Sequence, residues 1–443
     1  MKSKILRGRV LTFVSEPAGS DDHASYRYIE DGAVVIAEGK IVSVGEWSDA
    51  LSLVAPKAEI VDHRPGLILP GFIDTHIHYP QMQVIGSYAK DLLEWLNTYT
   101  FIEEQRFGEE AHAARIASLF CDELVRYGTT TAAVYCTVHP QSAEAFFAEA
   151  KKRDMRMIVG KVMMDRNAPD GLRDTPQQSY DDTKALLTKW DGVGRLHYAI
   201  TPRFALTSSH QQLEMAQDLA WQFPDAYVQT HVNESLGEIA FAKELYPNLP
   251  DYVGIYEHYG LLGPKTLLGH CIHMNDREIE ALAETASVAV FCPTSNLFIG
   301  SGLFDRWKML EANVRIGVAT DVGGGTSFSM LRTLDEGYKV LQLRGQRLSP
   351  LESFFMMTLG NARALSLEHR IGTLEPGADA DIVVLDAHAL PHMALKMEQV
   401  ESLSEELFLL QTCGDDRVVA ETYVAGEAAK GKLGSVQTAR PRE

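Results

Sequence analysis

The residues best suited to chemistry in this chain are histidines and carboxylates, and their spacing is informative. His76 and His78 stand two apart in "LPGFIDTHIHYPQ" (69–81). On an extended strand, side chains two apart face the same side, so both imidazoles can reach one ion. Taken alone, an H-x-H pair reads equally well as two hydrogen-bonded polar residues on a strand face. The metal reading gains weight from distant segments. His231 lies near the end of "AYVQTHVNE", His270 and His273 near the end of "TLLGHCIH", and Asp321 near the end of "RIGVATDVGGG". Two or three imidazoles and one carboxylate make a zinc-type donor set that also suits iron. A catalytic ion keeps an open position for water and lowers that water's pKa towards about 7. His270 either binds the ion directly or sits just outside it, bonded to its water. His273 caps a strand or faces solvent, and His258 in "IYEHYG" is structural. A two-metal version needs a bridging acid, often a modified lysine on the fourth strand. "HYAITPRF" has no lysine, and Lys161 on the third strand packs or pairs structurally. One ion is expected.

These side chains need elements to position them. The middle of the chain contains eight apolar runs: "GFIDTHIH", "GTTTAAVYC", "RMIVGKVMMD", "RLHYAITPRF", "AYVQTHVNE", "TLLGHCIH", "SVAVFCPTSN" and "RIGVATDVGGG". Between them lie stretches with apolar residues at three- and four-residue intervals, such as "EAHAARIASLFCDELVRYG" and "HQQLEMAQDLAWQF". Eight strands alternating with helices predict a (β/α)8 barrel, whose site lies at the carboxyl ends of the strands. The reactive residues fall at those ends: His76 and His78, Arg203, His231 and Glu234, His270 and His273, Asp321. The two termini carry glycine-punctuated alternation instead ("GAVVIAEGKIVSVGEW", "GADADIVVLD", "ETYVAGEAAKGK"). They predict one small sheet domain closed by both ends of the chain. The expected division is 1–68 and 369–443 for that domain and 69–368 for the barrel.

Composition excludes several classes. The chain has 443 residues, 45% hydrophobic and 23% charged, an ordinary globular mix. No run approaches the roughly 18 apolar residues of a membrane span, so no membrane partner is expected. The opening "MKSKILRGRVLTFVSEP" reads as a strand rather than a signal peptide. Five scattered cysteines without C-x-x-C predict neither disulfides nor a cysteine zinc site and fit a reducing cytoplasm. A net charge of −19 repels nucleic acid and leaves a small neutral substrate unaffected.

Together the motifs "PGFIDTHIHYPQ", "ITPRF", "THVNE", "GHCIH", "FCPTSN", "ATDVGGGTSFSM" and "PGADADIVVLD" resemble the amidohydrolase superfamily, and within it the guanine deaminase branch. The likeness runs from about residue 30 to 425. "PGF-DTHIH" and the late "TD" are superfamily-wide, while "HYPQ", "ITPRF" and "CPTSN" are narrower. The resemblance implies a (β/α)8 barrel with a terminal β-sandwich, one zinc ion per subunit and a homodimer. It places the zinc ligands at His76, His78, His231 and Asp321, and the substrate contacts at Gln81, Arg203, Phe204 and Glu234. The deaminase architecture built on H-x-E and P-C-x-x-C is absent.

The implied reaction replaces the amino group on C2 of guanine by water, giving xanthine and ammonia. Asp321 accepts the proton released by the water. Glu234, three residues after His231, protonates ring N3 and passes a proton to ammonia. Such groups contribute about 10²–10⁴-fold each. His270 orients the water or stabilises developing charge. Arg203 donates to O6, Gln81 suits N3 and N9–H, and Phe204 stacks on the purine or simply packs in the core. Two alternatives remain at this stage: deamination of another amino-heterocycle (8-oxoguanine, a pterin or a triazine), and a non-enzymatic scaffold with a decayed site. The run Gly323–Gly325 lets backbone pass close to the substrate. Trp95, Tyr99 and Phe101 form either a lid or, more plainly, the packed face of an amphipathic helix.

Overall fold

All eight apolar runs fold as parallel strands around one barrel in the computed structural model, which describes residues 3–53 and 58–433. Residues 1–2, 54–57 and 434–443 of the two expected terminal segments lie outside the described residues. The chain opens with β1 (Ser3–Phe13), β2 (Tyr26–Ala37), β3 (Lys40–Glu46) and β4 (Glu59–Pro70). The barrel follows: β5 (Phe72–His78), β6 (Thr129–Tyr135), β7 (Arg156–Gly160), the two-residue β8 (Val162–Met163), β9 (His197–Pro202), β10 (Tyr227–Val232), β11 (Thr266–His270), β12 (Val288–Phe291) and β13 (Arg315–Val318). β14 (Ile382–Leu385), β15 (Val419–Val424) and β16 (Glu427–Ala428) come last. The third run breaks at Lys161 into β7 and β8.

Every residue of β5, β6, β7, β10, β11 and β12 is buried. Helices cover one side and the barrel core the other, which is why these runs are continuously apolar rather than alternating. The order runs from β13 through β12, β11, β10, β9, β7 and β6 to β5. The seam is tied by the backbone: Asp321 N donates to His76 O (3.0 Å), and His78 N donates to Val322 O (2.7 Å). The helices take the predicted faces. Glu110–Arg126 buries Ala113, Ile116, Ala117, Phe120, Cys121 and Leu124 at three- and four-residue spacing. His210–Gln222 starts at Ser209, whose Oγ accepts from Gln212 N (3.1 Å). Losing such a cap costs about 1 kcal/mol.

One irregularity decides where the histidines point. In a strictly alternating β5, Ile73 and His76 would face opposite sides. The β5–β6 register shifts between Asp74 and Ile77, as at a bulge. Ile73 joins the buried cluster with Ala133, Ile158, Ala199 and Leu267, yet His76 and His78 also face inward, one level higher.

Both termini meet in a seven-stranded mixed sheet, ordered β16-β15-β14-β4-β1-β2-β3. Only β1 and β4 pair in parallel. The β2–β3 turn uses Glu38 and Gly39, both with positive φ (53° and 73°), as a two-residue type I′ turn requires. That hairpin folds back on the segment before β14: Ile41 N donates to Ala378 O and Ala380 N to Gly39 O (both 2.9 Å). Leu6, Val10, Val34, Ile36, Ile68, Ile382 and Val384 form the enclosed core of this unit.

Candidate active site and metal centre

At the carboxyl ends of the strands, four donor atoms converge. His76 Nε2 is 3.1 Å from His78 Nε2, which is 3.2 Å from His231 Nε2. Asp321 Oδ1 lies 3.4 Å from the first two nitrogens. Donors at about 2.0–2.1 Å from a shared tetrahedral ion stand roughly 3.4 Å apart, so this spacing fits one ion. Proton placement fits as well. His231 Nδ1 donates to Arg203 O (2.7 Å), which leaves its Nε2 as a lone pair in the neutral ring. A single proton on His78 Nε2 cannot serve both neighbouring nitrogens. Burial, then the surrounding imidazoles and Arg203, push His78 and His231 well below the usual range, and burial also lowers His76. All three are thereby biased towards the neutral form that offers lone pairs. Burial works against ionisation of Asp321, but its His76 contact and the adjacent histidines hold the carboxyl at about 2.

The backbone is bent to make this cluster. His270 and Asp321 have φ of 77° and 50°, a left-handed region costly for residues with a Cβ. Asp74, buried beneath them, holds the seam: its Oδ1 accepts from His76 N and Thr320 N (both 3.2 Å), and Thr320 Oγ1 bonds its other oxygen. His76 lies so close to β11 that a Cβ at Gly269 would sit 2.7 Å from its Cε1. Tyr135 stacks on His78, ring centres 4.4 Å apart.

A cavity of about 380 Å³ opens beside the cluster, lined among others by His78, His231, Asp321, Glu234, His270, Gln81, Arg203 and Phe204. Each sequence-predicted site residue other than the more deeply buried His76 thus borders one space. Glu234 is buried, and burial, with Asp321 nearby, raises its carboxyl above the ordinary range. Its Oε1 accepts from Ser301 Oγ (2.9 Å), and its Oε2 lies 3.4 Å from His270 Nε2. His270 Nδ1 bonds Asn296 Oδ1 (2.9 Å), and Nε2 also faces Asp321 Oδ2 at 3.8 Å. Burial would lower His270, but Glu234 and Asp321 raise it instead. His270 thus stands between the donor cluster and Glu234. Gln81 is fixed at both ends: Oε1 accepts from Gly323 N (3.1 Å) and Nε2 donates to Glu104 (3.0 Å). A Cβ at Gly323 would sit 2.5 Å from Gln81 O, so glycine there permits close packing against the Gln81 backbone, while Gly324 lines the cavity.

Trp95 and Leu96 also line the cavity, Phe101 lies under the Arg203 guanidinium (5.5 Å), and Tyr99 is half-buried. The segment Leu92–Gly108 is helical throughout, with a π-helical turn at Leu96–Thr100. Its packed face is one wall of the pocket. Three residues lie elsewhere. His273 Nε2 bonds Ser301 O (2.8 Å), His258 is exposed at a helix end, and Lys161 pairs with Asp174 (2.6 Å).

Sequence reasoning missed Glu104, Asn296, Ser301, Glu238 and Tyr135. Asn296 was visible as the last letter of "CPTSN". Glu238 caps the helix Leu236–Leu245 and accepts from Glu234 N (3.0 Å). An S-x-x-E capping box signals it, though not its proximity to the site. Glu104, Ser301 and Tyr135 have no local signature.

The fold and this donor set define a metal-dependent hydrolase barrel, and the chain belongs to the amidohydrolase family, whose model matches residues 67–429. Among its relatives, guanine deaminase of Escherichia coli strain K12 is 47% identical over 424 residues, covering 96% of this chain and 97% of that one. The solved E. coli guanine deaminase superposes with a TM-score of 0.93 at 45% identity, over 97% of this chain and 99% of that one. The guanine deaminase of C. acetobutylicum, solved with guanine in its active site, gives 0.87 at 30% identity, over 96% and 100%. Among the described residues no helix is long and apolar enough to cross a membrane, and all five cysteines are free.

Proposed function

We propose that this protein hydrolyses guanine to xanthine and ammonia, using one zinc ion per subunit held by His76, His78, His231 and Asp321. The observation that carries the reading is the placement of a buried carboxyl, Glu234, and a donor fork, Arg203 with Gln81, in the same cavity as three of the four converging donors, His78, His231 and Asp321. When bound, the ion lowers the pKa of a water towards about 7 and makes it nucleophilic at neutral pH.

The chain's own residues do the rest. Asp321 commits Oδ1 to the imidazole side, so Oδ2 takes the proton released as water adds to C2. Glu234, its carboxyl raised by burial above the ordinary range, is the group placed to deliver a proton to ring N3 as C2 becomes tetrahedral. The C2 hydroxyl then gives its proton to the ionised Glu234, which hands it to the amino nitrogen; the C2–N bond breaks, ammonia leaves, and the proton held by Asp321 restores Glu234. His270 stands between both carboxylates and orients the water. Arg203 keeps free N–H groups for O6 after pairing with Glu104. Gln81 retains one lone pair, which suits N9–H. Phe204 walls the ring plane.

The test is ammonia release from guanine by the purified, zinc-loaded protein, before and after chelation. Release that stops with chelator and returns with zinc is expected. Metal-replete protein that releases none would overturn the reading. A homodimer in the cytoplasm belongs to the same proposal and is read by light scattering and fractionation.

A further inference from the structure

Directly behind two residues that line the pocket, Arg203 and Gln81, lies a carboxylate that the proposed reaction does not use. Glu104 is 1% exposed, on the helical segment after the π turn. Its Oε2 accepts from Arg203 Nη1 (2.6 Å) and its Oε1 from Gln81 Nε2 (3.0 Å). Arg203 is itself only 3% exposed and is flanked by Phe101 on one face. Among the described residues, Glu104 is its one ion-pair partner.

We propose that Glu104 is a positioning residue that selects substrate by charge: it neutralises Arg203 inside the pocket, so that the site takes neutral amino-heterocycles and rejects purine anions. The inference rests on the deaminase reading for its choice of purines as ligands. An uncompensated guanidinium, buried beside a ligand cavity, attracts any planar anion strongly, because charge interactions there are poorly screened. Paired with Glu104, Arg203 keeps its directional N–H donors and loses its net charge. The same carboxylate fixes the orientation of the Gln81 amide, so one residue aligns both recognition groups. The consequence extends to product release. Replacing the C2 amino group by oxygen makes the ring N–H groups more acidic, so the product ionises more readily than the substrate. A neutral Arg203–Glu104 pair denies that anion a counterion.

The experiment measures calorimetric Kd values of metal-loaded protein for urate, a monoanion at neutral pH, and for neutral hypoxanthine. Guanine kcat and KM are measured on the same samples. In the wild type hypoxanthine binds more tightly than urate. In Glu104→Gln the urate-to-hypoxanthine Kd ratio falls about 10- to 100-fold, with metal content unchanged and KM for guanine rising more than kcat falls. Arg203→Gln supplies a second readout that does not depend on the first variant folding: it leaves Glu104 uncompensated, and the ratio rises about tenfold. A ratio that stays constant in either folded, metal-loaded variant, or two Kd values that weaken in parallel, overturns the proposal and assigns Glu104 a merely structural role. If the wild type releases no ammonia from guanine while the ratio still shifts, the guanine reading falls and charge selection by Glu104 stands.

Discussion

At the amino ends of the barrel strands, Arg156 and Arg195 reach into the terminal sheet. Arg156 Nη2 lies 2.5 Å from Asp379, and Arg195 Nη1 lies 2.7 Å from Asp381 and 3.3 Å from Asp379. Lys40 also pairs with Asp379. At the carboxyl ends, Asp321 and Glu234 are just as buried, yet Asp321 faces His76 and His78, whose ring nitrogens point at each other. Both ends bury carboxylates. One end supplies fixed cations and is satisfied by the chain alone. The other gathers lone pairs and negative oxygens around a space that a divalent ion fits. Gathering acceptors without a fixed cation is costly in a buried site, so the carboxyl end is where a bound cation would be favoured. In barrels of this kind the amino-terminal face serves stability and the carboxyl-terminal face serves chemistry.

The contrast can be broken at several points. The largest effect is expected from His78→Ala, which removes the nitrogen shared by two contacts of the cluster. Bound metal should fall well below one per chain by elemental analysis, and turnover should drop by more than about 10⁴-fold. Glu234→Gln should keep its metal and lose about 10²–10⁴-fold in kcat; near-normal turnover would remove Glu234 from proton transfer. At the opposite end, Asp379→Ala leaves Arg156 without its partner. Urea titration should show a loss of about 3–5 kcal/mol, while metal content and KM of the folded protein stay as they were. A change in KM there would mean that the two ends are coupled. Arg203→Lys should lower kcat/KM for guanine about 10- to 100-fold with metal retained, since a planar fork is replaced by a point charge.

The smallest effect is in pH. The Asp379 carboxyl, despite its burial, is held at about 2 by Lys40, Arg156 and Arg195, against an ordinary 3.8. A depressed carboxyl stabilises the fold fully above its unfolded pKa, and that contribution is lost as pH falls through the folded value. Acid unfolding between roughly pH 4 and pH 2 should therefore be shallower in Asp379→Asn than in the wild type.

Much of the site was legible because its chemistry is local in type. Histidine and aspartate at the ends of apolar runs stand out against the runs themselves, and "THIH" and "HVNE" each carry two site residues within four positions. The barrel was legible because strands buried on both faces lose their alternation. The Arg156, Arg195, Asp379 and Asp381 cluster was not. Its members are separated by up to 225 residues, and each alone is an ordinary surface charge. Glu104 was hidden for the same reason, as one acidic residue among several in "TFIEEQRFGEE".

By itself, the sequence determined the eight barrel runs, the order of the β-α units and the placing of histidines and acids at the ends of those runs, because periodicity and residue chemistry are properties of short segments. Tertiary structure alone decided that a shift in β5 turns His76 inward above Ile73, that Gly269 makes room for its ring, and that Glu104 meets Arg203 and Gln81. Those outcomes depend on register, close approach and charge pairing between segments far apart in the chain, and no local pattern encodes a distance.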